Sequence, residues 1–102
     1  HRDLHTAYRR QRQMCIRDRY MTPIEIFEYK QNWKKDGYAV PFHSDWDLYV
    51  REWLKDLPKT AWIWQEYTDV YEHTCLFEMK NDAEALQMYL KREYPRATNY
   101  YE

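Results

Sequence analysis

Glycine is all but missing from this chain, with Gly37 the single one among 102 residues. Dinucleotide fingerprints and phosphate loops need several glycines where backbone closes on phosphate, so neither can be written here. Cysteine is nearly as scarce. Cys15 and Cys75 lie far apart, which gives neither a metal-ligand spacing nor a disulfide framework and points to a reducing compartment. No apolar run approaches the ~20 residues needed to span a bilayer, and no secretory apolar segment is present. A chain of this length builds one domain, with a core but no spacious internal cavity.

Aromatic residues are what it has in excess, 19% of the chain, so large rings must supply much of the buried area. The net charge of −1 hides an asymmetry. Residues 1–20 carry six Lys/Arg against two Asp, leaving +4, whereas residues 21–102 carry ten against fifteen acids, leaving −5. The two portions are different kinds of sequence.

The stretch Thr60 to Lys80, TAWIWQEYTDVYEHTCLFEMK, reads as two β-strands over 60–67 and 70–79, rich in residues that suit a pleated, half-buried surface. A two-residue turn at Thr68-Asp69 sets Trp64 opposite His73 and Trp62 opposite Cys75. One face then carries Trp62, Trp64, Tyr71, His73, Cys75, Phe77 and Met79, and the other Ala61, Ile63, Gln65, Tyr67, Glu72, Thr74, Leu76 and Glu78. The first face is the more apolar and is expected beneath helices. Thr-Asp is not a favoured hairpin turn, and a one-residue slip would exchange the faces.

Around this ribbon the chain supplies helices. Thr22-Pro23-Ile24-Glu25 is a capping box with Pro at the first helical position, so a helix starts there. Ile26, Tyr29 and Trp33 form its stripe, Ile24 and Phe27 lie beside it, and Gly37 is expected as its C-terminal cap. Gly37 to His43 reads as a strand with Tyr38, Val40 and Phe42 on one face, and Pro41 assigns it to a sheet edge. Ser44 with Asp47 is expected to open the second helix. Its stripe of Trp46, Tyr49, Val50, Trp53, Leu54 and Leu57 is the clearest amphipathic pattern in the chain, with Asp47, Arg51, Glu52 and Lys55 on the wet side. Asn81 with Glu84 is expected to open a third helix, striped by Ala83, Leu86, Leu90 and Tyr94 and stopped by Pro95.

The order α-β-α-β-β-α predicts an α+β fold. It is a three-stranded antiparallel sheet, an incomplete ferredoxin-like split βαβ, with helices mainly on one face and the third strand between the other two. The expected domain covers 21–95, preceded by a disordered basic segment, 1–20, and followed by a tail, 96–102.

Two resemblances accompany this reading. Residues 10–19, RQRQMCIRDR, are similar to translated sequencing-adapter read-through at the ends of metagenomic reading frames, which implies that the native chain starts at Met21. The strings Thr22-Pro23-Ile24-Glu25, Gly37-Tyr38, His43-Ser44-Asp45, Thr68-Asp69-Val70-Tyr71-Glu72-His73-Thr74 and Asp82-Ala83 make residues 21–89 resemble small proteins of marine T4-like phages of cyanobacteria. The resemblance implies a phage-encoded protein in the host cytoplasm and transfers no activity.

Candidate chemistry is sparse. His73 and Cys75 share a strand face, and a neutral imidazole beside a thiolate serves metals and nucleophilic catalysis alike. The spacing is no recognised ligand pattern, and a buried Cys is ordinarily a small hydrophobe. Glu72 and Glu78 stand too far apart along one strand for paired acid/base work. Trp62 and Trp64 invite comparison with RNA-binding sheets, but an acidic domain lacks the basic footprint such binding needs. The sequence therefore predicts no catalytic residue, no cofactor and no metal.

What remains is protein contact, without a membrane and with nucleic acid as the lesser alternative. The expected interaction surface is Tyr38, Val40 and Phe42 on the outer strand, with Tyr67, Glu72, Tyr100 and Tyr101. The occupant is a host or phage protein, or a second copy paired through the edge strand.

Overall fold

A computed structural model describes residues 18–66 and 71–95 of the chain. Helix α1 spans Pro23–Trp33, strand β1 Tyr38–His43, helix α2 Asp47–Leu54, strands β2 Trp62–Glu66 and β3 Glu72–Phe77, and helix α3 Lys80–Glu93. Short 3₁₀ turns over Lys34–Asp36, Ser44–Trp46 and Lys59–Ala61 join them. The expected turn at Thr68-Asp69 lies outside the described residues.

Helix α1 starts as its sequence dictates. Thr22 Oγ1 accepts from the Glu25 amide at 3.2 Å, and Glu25 Oε1 accepts from the Thr22 amide at 3.0 Å. The Thr22 amide is the main reason the Glu25 carboxyl sits below its ordinary pKa. The other end differs from expectation. The helix passes into a 3₁₀ turn, and Gly37 is extended (φ −67°, ψ 157°), not a left-handed cap. A Cβ on Gly37 would come within 3.0 Å of the Trp33 ring, so close approach is what the position requires.

The other two helix starts also differ. His43 Nδ1 accepts from the Asp45 amide at 3.0 Å and so caps the 3₁₀ turn that precedes α2. Asp47, expected to complete a box with Ser44, instead accepts from His73. Helix α3 begins at Lys80 after Met79, with no side-chain cap, two residues earlier than a cap at Asn81 would place it. At the start of α2 a local bond from His43 and a tertiary bond to His73 displace the pattern read from spacing alone.

The three strands form one antiparallel sheet in the order β1-β3-β2. This is the predicted α+β plan, with the third strand in the middle. The hairpin register is two residues from the expected one: Trp64 lies opposite Cys75 and Trp62 opposite Phe77. Side chains alternate with a period of two, so a two-residue shift leaves every one on its predicted face. Val40, Phe42, Cys75 and Phe77 line the indole-bearing face and are completely buried. They cluster with Val50, Leu54 and Leu57 from α2 and just beyond, and with Ala83, Leu86 and Leu90 of α3. Of the predicted stripes, Tyr49 and Tyr94 meet each other at 4.6 Å between ring centroids, and Trp46 stacks on Tyr94, tying the two helices together.

Helix α1 stands apart from that core. Trp33 Nε1 donates to the Thr60 carbonyl at 3.1 Å, and the Tyr29 hydroxyl donates to Glu78 Oε2 at 2.7 Å. Thr60 is buried, and it also donates its hydroxyl and amide to the Asp18 carboxylate at 3.0 and 3.3 Å. Asp18 belongs to the segment that the sequence reading left outside the fold.

Candidate interaction surface

The groups able to do chemistry are engaged in packing. Cys75 is fully buried between Val40 and Trp64 on the neighbouring strands. Burial pushes its thiol up to about 12, the reverse of what a thiolate nucleophile or metal ligand needs. His73 Nδ1 lies 3.1 Å from Asp47 Oδ1 and donates to it. Its ring meets the edges of Phe42 and Trp64 at 6.1 and 5.8 Å between centroids. That bond fixes the imidazole against the start of α2 and ties the sheet to the helix. Among the described residues no three His, Cys, Asp or Glu side chains converge. Glu78 is held by Tyr29, far from Glu72, which lies opposite His43.

The expected interaction surface divides. Tyr38 is 44% exposed, but Val40 and Phe42 are completely buried. This is a correction: Val40 and Phe42 are turned into the core, and Tyr38 alone of the three expected residues is exposed, with Ala39 and Pro41 beside it. Glu72 is half-buried. Tyr67, Tyr100 and Tyr101 lie outside the described residues. Large apolar groups are exposed elsewhere. Ile24 and Phe27, one turn apart on α1 and expected beside its stripe, are 70% and 62% exposed.

Main-chain bonds show which groups of the two outer strands face β3 and which face away from it. The Ser44 amide donates to the Tyr71 carbonyl at 3.0 Å, continuing the β1–β3 register. Opposed residues of an antiparallel pair alternate between bonded and non-bonded. Ala39, Pro41 and His43 therefore point their main-chain groups away from β3. Pro41 lacks an amide, so it removes a donor from the open side without costing the ladder a bond. On the other flank the Glu78 amide donates to the Ala61 carbonyl at 3.1 Å, continuing the β2–β3 register. By the same alternation Trp62, Trp64 and Glu66 turn their amides and carbonyls outward. No proline interrupts that row.

The two indoles of β2 are neither bare nor fully covered. Both are half-buried against the core cluster, and Trp64 meets Phe42 edge-on at 5.3 Å between centroids. Each carries a cation over its ring: Lys30 Nζ is 4.6 Å from the Trp62 centroid, and the Arg51 guanidinium is 4.1 Å from that of Trp64. A cation in such a place contributes about 0.5–1 kcal/mol. Burial draws the Lys30 pKa down. Nε1 of Trp62 and of Trp64 is buried with no hydrogen-bond partner, a cost of about 1–3 kcal/mol for each donor left unpaired. The sequence pattern assigned Arg51 to the wet side of α2. What that assignment missed is the reach of its aliphatic stem, which lays the charged head over a ring on the neighbouring strand.

No helix among the described residues is long and apolar enough to cross a membrane. Comparison of the chain with protein-family models, with curated proteins and with solved structures gives no match.

Proposed function

We propose that this chain is a small, non-enzymatic protein-interaction module. The observation that carries the reading is the outward main-chain row of β2 at Trp62 and Trp64, because an edge strand recognises another chain through its main-chain groups. The unreactive environment of Cys75 supports the non-enzymatic part of the proposal. The resemblance of residues 21–89 to small proteins of T4-like cyanobacterial phages supports a phage accessory role in the host cytoplasm. The resemblance of residues 10–19 to adapter read-through supports a native start at Met21.

The test is capture with the full chain as bait in cyanobacterial lysate, followed by cross-linking that maps contacts onto the sheet flanks. A specific protein linked through β1 or β2 supports the proposal. Recovery of background proteins alone, at every salt concentration, removes it.

A second reading has one observation in its favour. The cations over Trp62 and Trp64 are of the kind that accompanies stacked bases in single-stranded nucleic-acid sites. The balance of −5 over residues 21–102 opposes it. Quenching of tryptophan emission by an oligonucleotide at low salt favours this reading, and a flat titration discards it.

A further inference from the structure

We infer that α1, together with Asp18, is an internal cover on the edge of β2, and that it lifts off as a unit ahead of the core to lengthen that edge. The inference rests on the interaction-module reading and adds to it a device that controls the surface. Both main-chain groups of Thr60 are taken up by side chains from outside the sheet. Its amide donates to Asp18 Oδ2 at 3.3 Å, and its carbonyl accepts from Trp33 Nε1 at 3.1 Å. The next residue, Ala61, turns its carbonyl to β3 and accepts from the Glu78 amide. Thr60 therefore stands one alternation before Trp62 and Trp64, at the head of the same outward row. An acceptor for the amide and a donor for the carbonyl are the two bonds that a neighbouring strand would make there.

The attachment of α1 is light. Tyr29 donates to Glu78 Oε2, Lys30 lies over the Trp62 ring, and Trp33 reaches Thr60. All three anchors sit at the C-terminal end of the helix, while Ile24, Glu25, Phe27 and Glu28 nearer its start are exposed. Trp33 is the one side chain that α1 buries. The other two helices instead sink Val50, Leu54, Leu86 and Leu90 into the common core. Helix α1 packs chiefly on the 3₁₀ turn Lys59–Ala61, the segment that leads into β2. An element held by a few polar bonds and one buried ring opens at lower free energy than the core it rests on. Its 11 residues are too few to persist as a helix alone, so release exposes its amides as well.

The test is hydrogen exchange of the full ¹⁵N-labelled chain, read at the Trp33 indole N–H, the Thr60 amide and the amides of Tyr29 to Trp33. These are expected to share one opening, with protection about a hundredfold or more below that of β3 and of Leu86 to Leu90. Trp33→Phe removes the indole N–H and keeps an aromatic ring in place. It is expected to lower protection at Thr60 and along α1 by about tenfold, while β3 keeps its own. Should that variant lose its fold by circular dichroism, Tyr29→Phe carries the same readout at smaller size. Phe27→Ala, on the exposed side of α1, leaves both regions unchanged. With a lysate partner linked through β2, Trp33→Phe is expected to capture about tenfold more, because the uncovered state is the competent one.

Protection of α1 equal to that of β3 means that the helix leaves only on global unfolding, and overturns the inference. So does a loss in Trp33→Phe that falls equally on β3 and α3, or an opening of α1 that leaves Thr60 protected. A partner linked through β2 and captured equally by native chain and variant removes the covering role and leaves the interaction-module reading standing. Recovery of no partner removes that reading, while the exchange pattern alone decides whether α1 lifts off.

Discussion

Strands β1 and β2 flank the same central strand, yet they treat their surroundings differently. β1 buries Val40 and Phe42 completely and turns an amide-less Pro41 outward. β2 holds two indoles half-buried under cations and keeps every outward amide. The difference teaches how one small sheet divides side-chain burial and outward hydrogen-bonding groups between its two flanks. The side that supplies the core is blunted against other chains, and the side with partly covered rings retains its hydrogen-bonding capacity. Apolar composition alone would have assigned the two strands the same role.

The largest expected effect breaks or keeps this contrast directly. Phe42→Ala should cost about 3–5 kcal/mol in urea unfolding, because a fully buried ring leaves a cavity. Trp64→Ala should cost less, about 2–3 kcal/mol, since its ring is only partly covered. Equal losses would erase the distinction between core flank and receptive flank.

A smaller effect concerns the buried thiol between them. The folded state holds the Cys75 proton up to about 12, against an ordinary value of 9.0. The stabilising preference is therefore complete below pH 9 and lost as pH rises toward 12. Stability should fall across that window in the native protein and less steeply in Cys75→Ala. Native Cys75 should also resist iodoacetamide at pH 8; rapid alkylation in the folded protein would contradict its assignment to the core.

Next comes the base of β2. Thr60 donates twice to Asp18, so Asp18→Ala should lower stability by about 1 kcal/mol, a few degrees in Tm. Deleting residues 1–17 should leave Tm unchanged. If Asp18→Ala is silent as well, the contact is incidental and the reading of the segment as foreign to the domain gains weight. The smallest effect belongs to Pro41. Pro41→Val should shift stability by less than about 0.5 kcal/mol, because the position donates no ladder bond, while raising self-association by sedimentation.

Much of the architecture was legible because it rests on periodicity. The Val50, Leu54, Leu57 and Leu86, Leu90 stripes and the Pro41 edge follow from spacing and from one missing amide. The hairpin faces survived a wrong register because parity, not register, decides them. What spacing could not carry was anything settled by a distant partner. His73 claims Asp47 and denies α2 its expected cap. The Trp33 ring, not a left-handed turn, explains Gly37. Arg51 and Lys30 find their rings only once the helices are placed, and Val40 and Phe42 look like surface candidates until the helices close over that face of the sheet.

The account stands on β2 having an open side, and hydrogen exchange of the free, full-length protein at low concentration tests it most directly. The amides of Trp62 and Trp64 should exchange orders of magnitude faster than those of Ile63 and Gln65, which face β3. Uniform protection along Trp62 to Gln65 would mean that the edge is already covered, and would contradict the account.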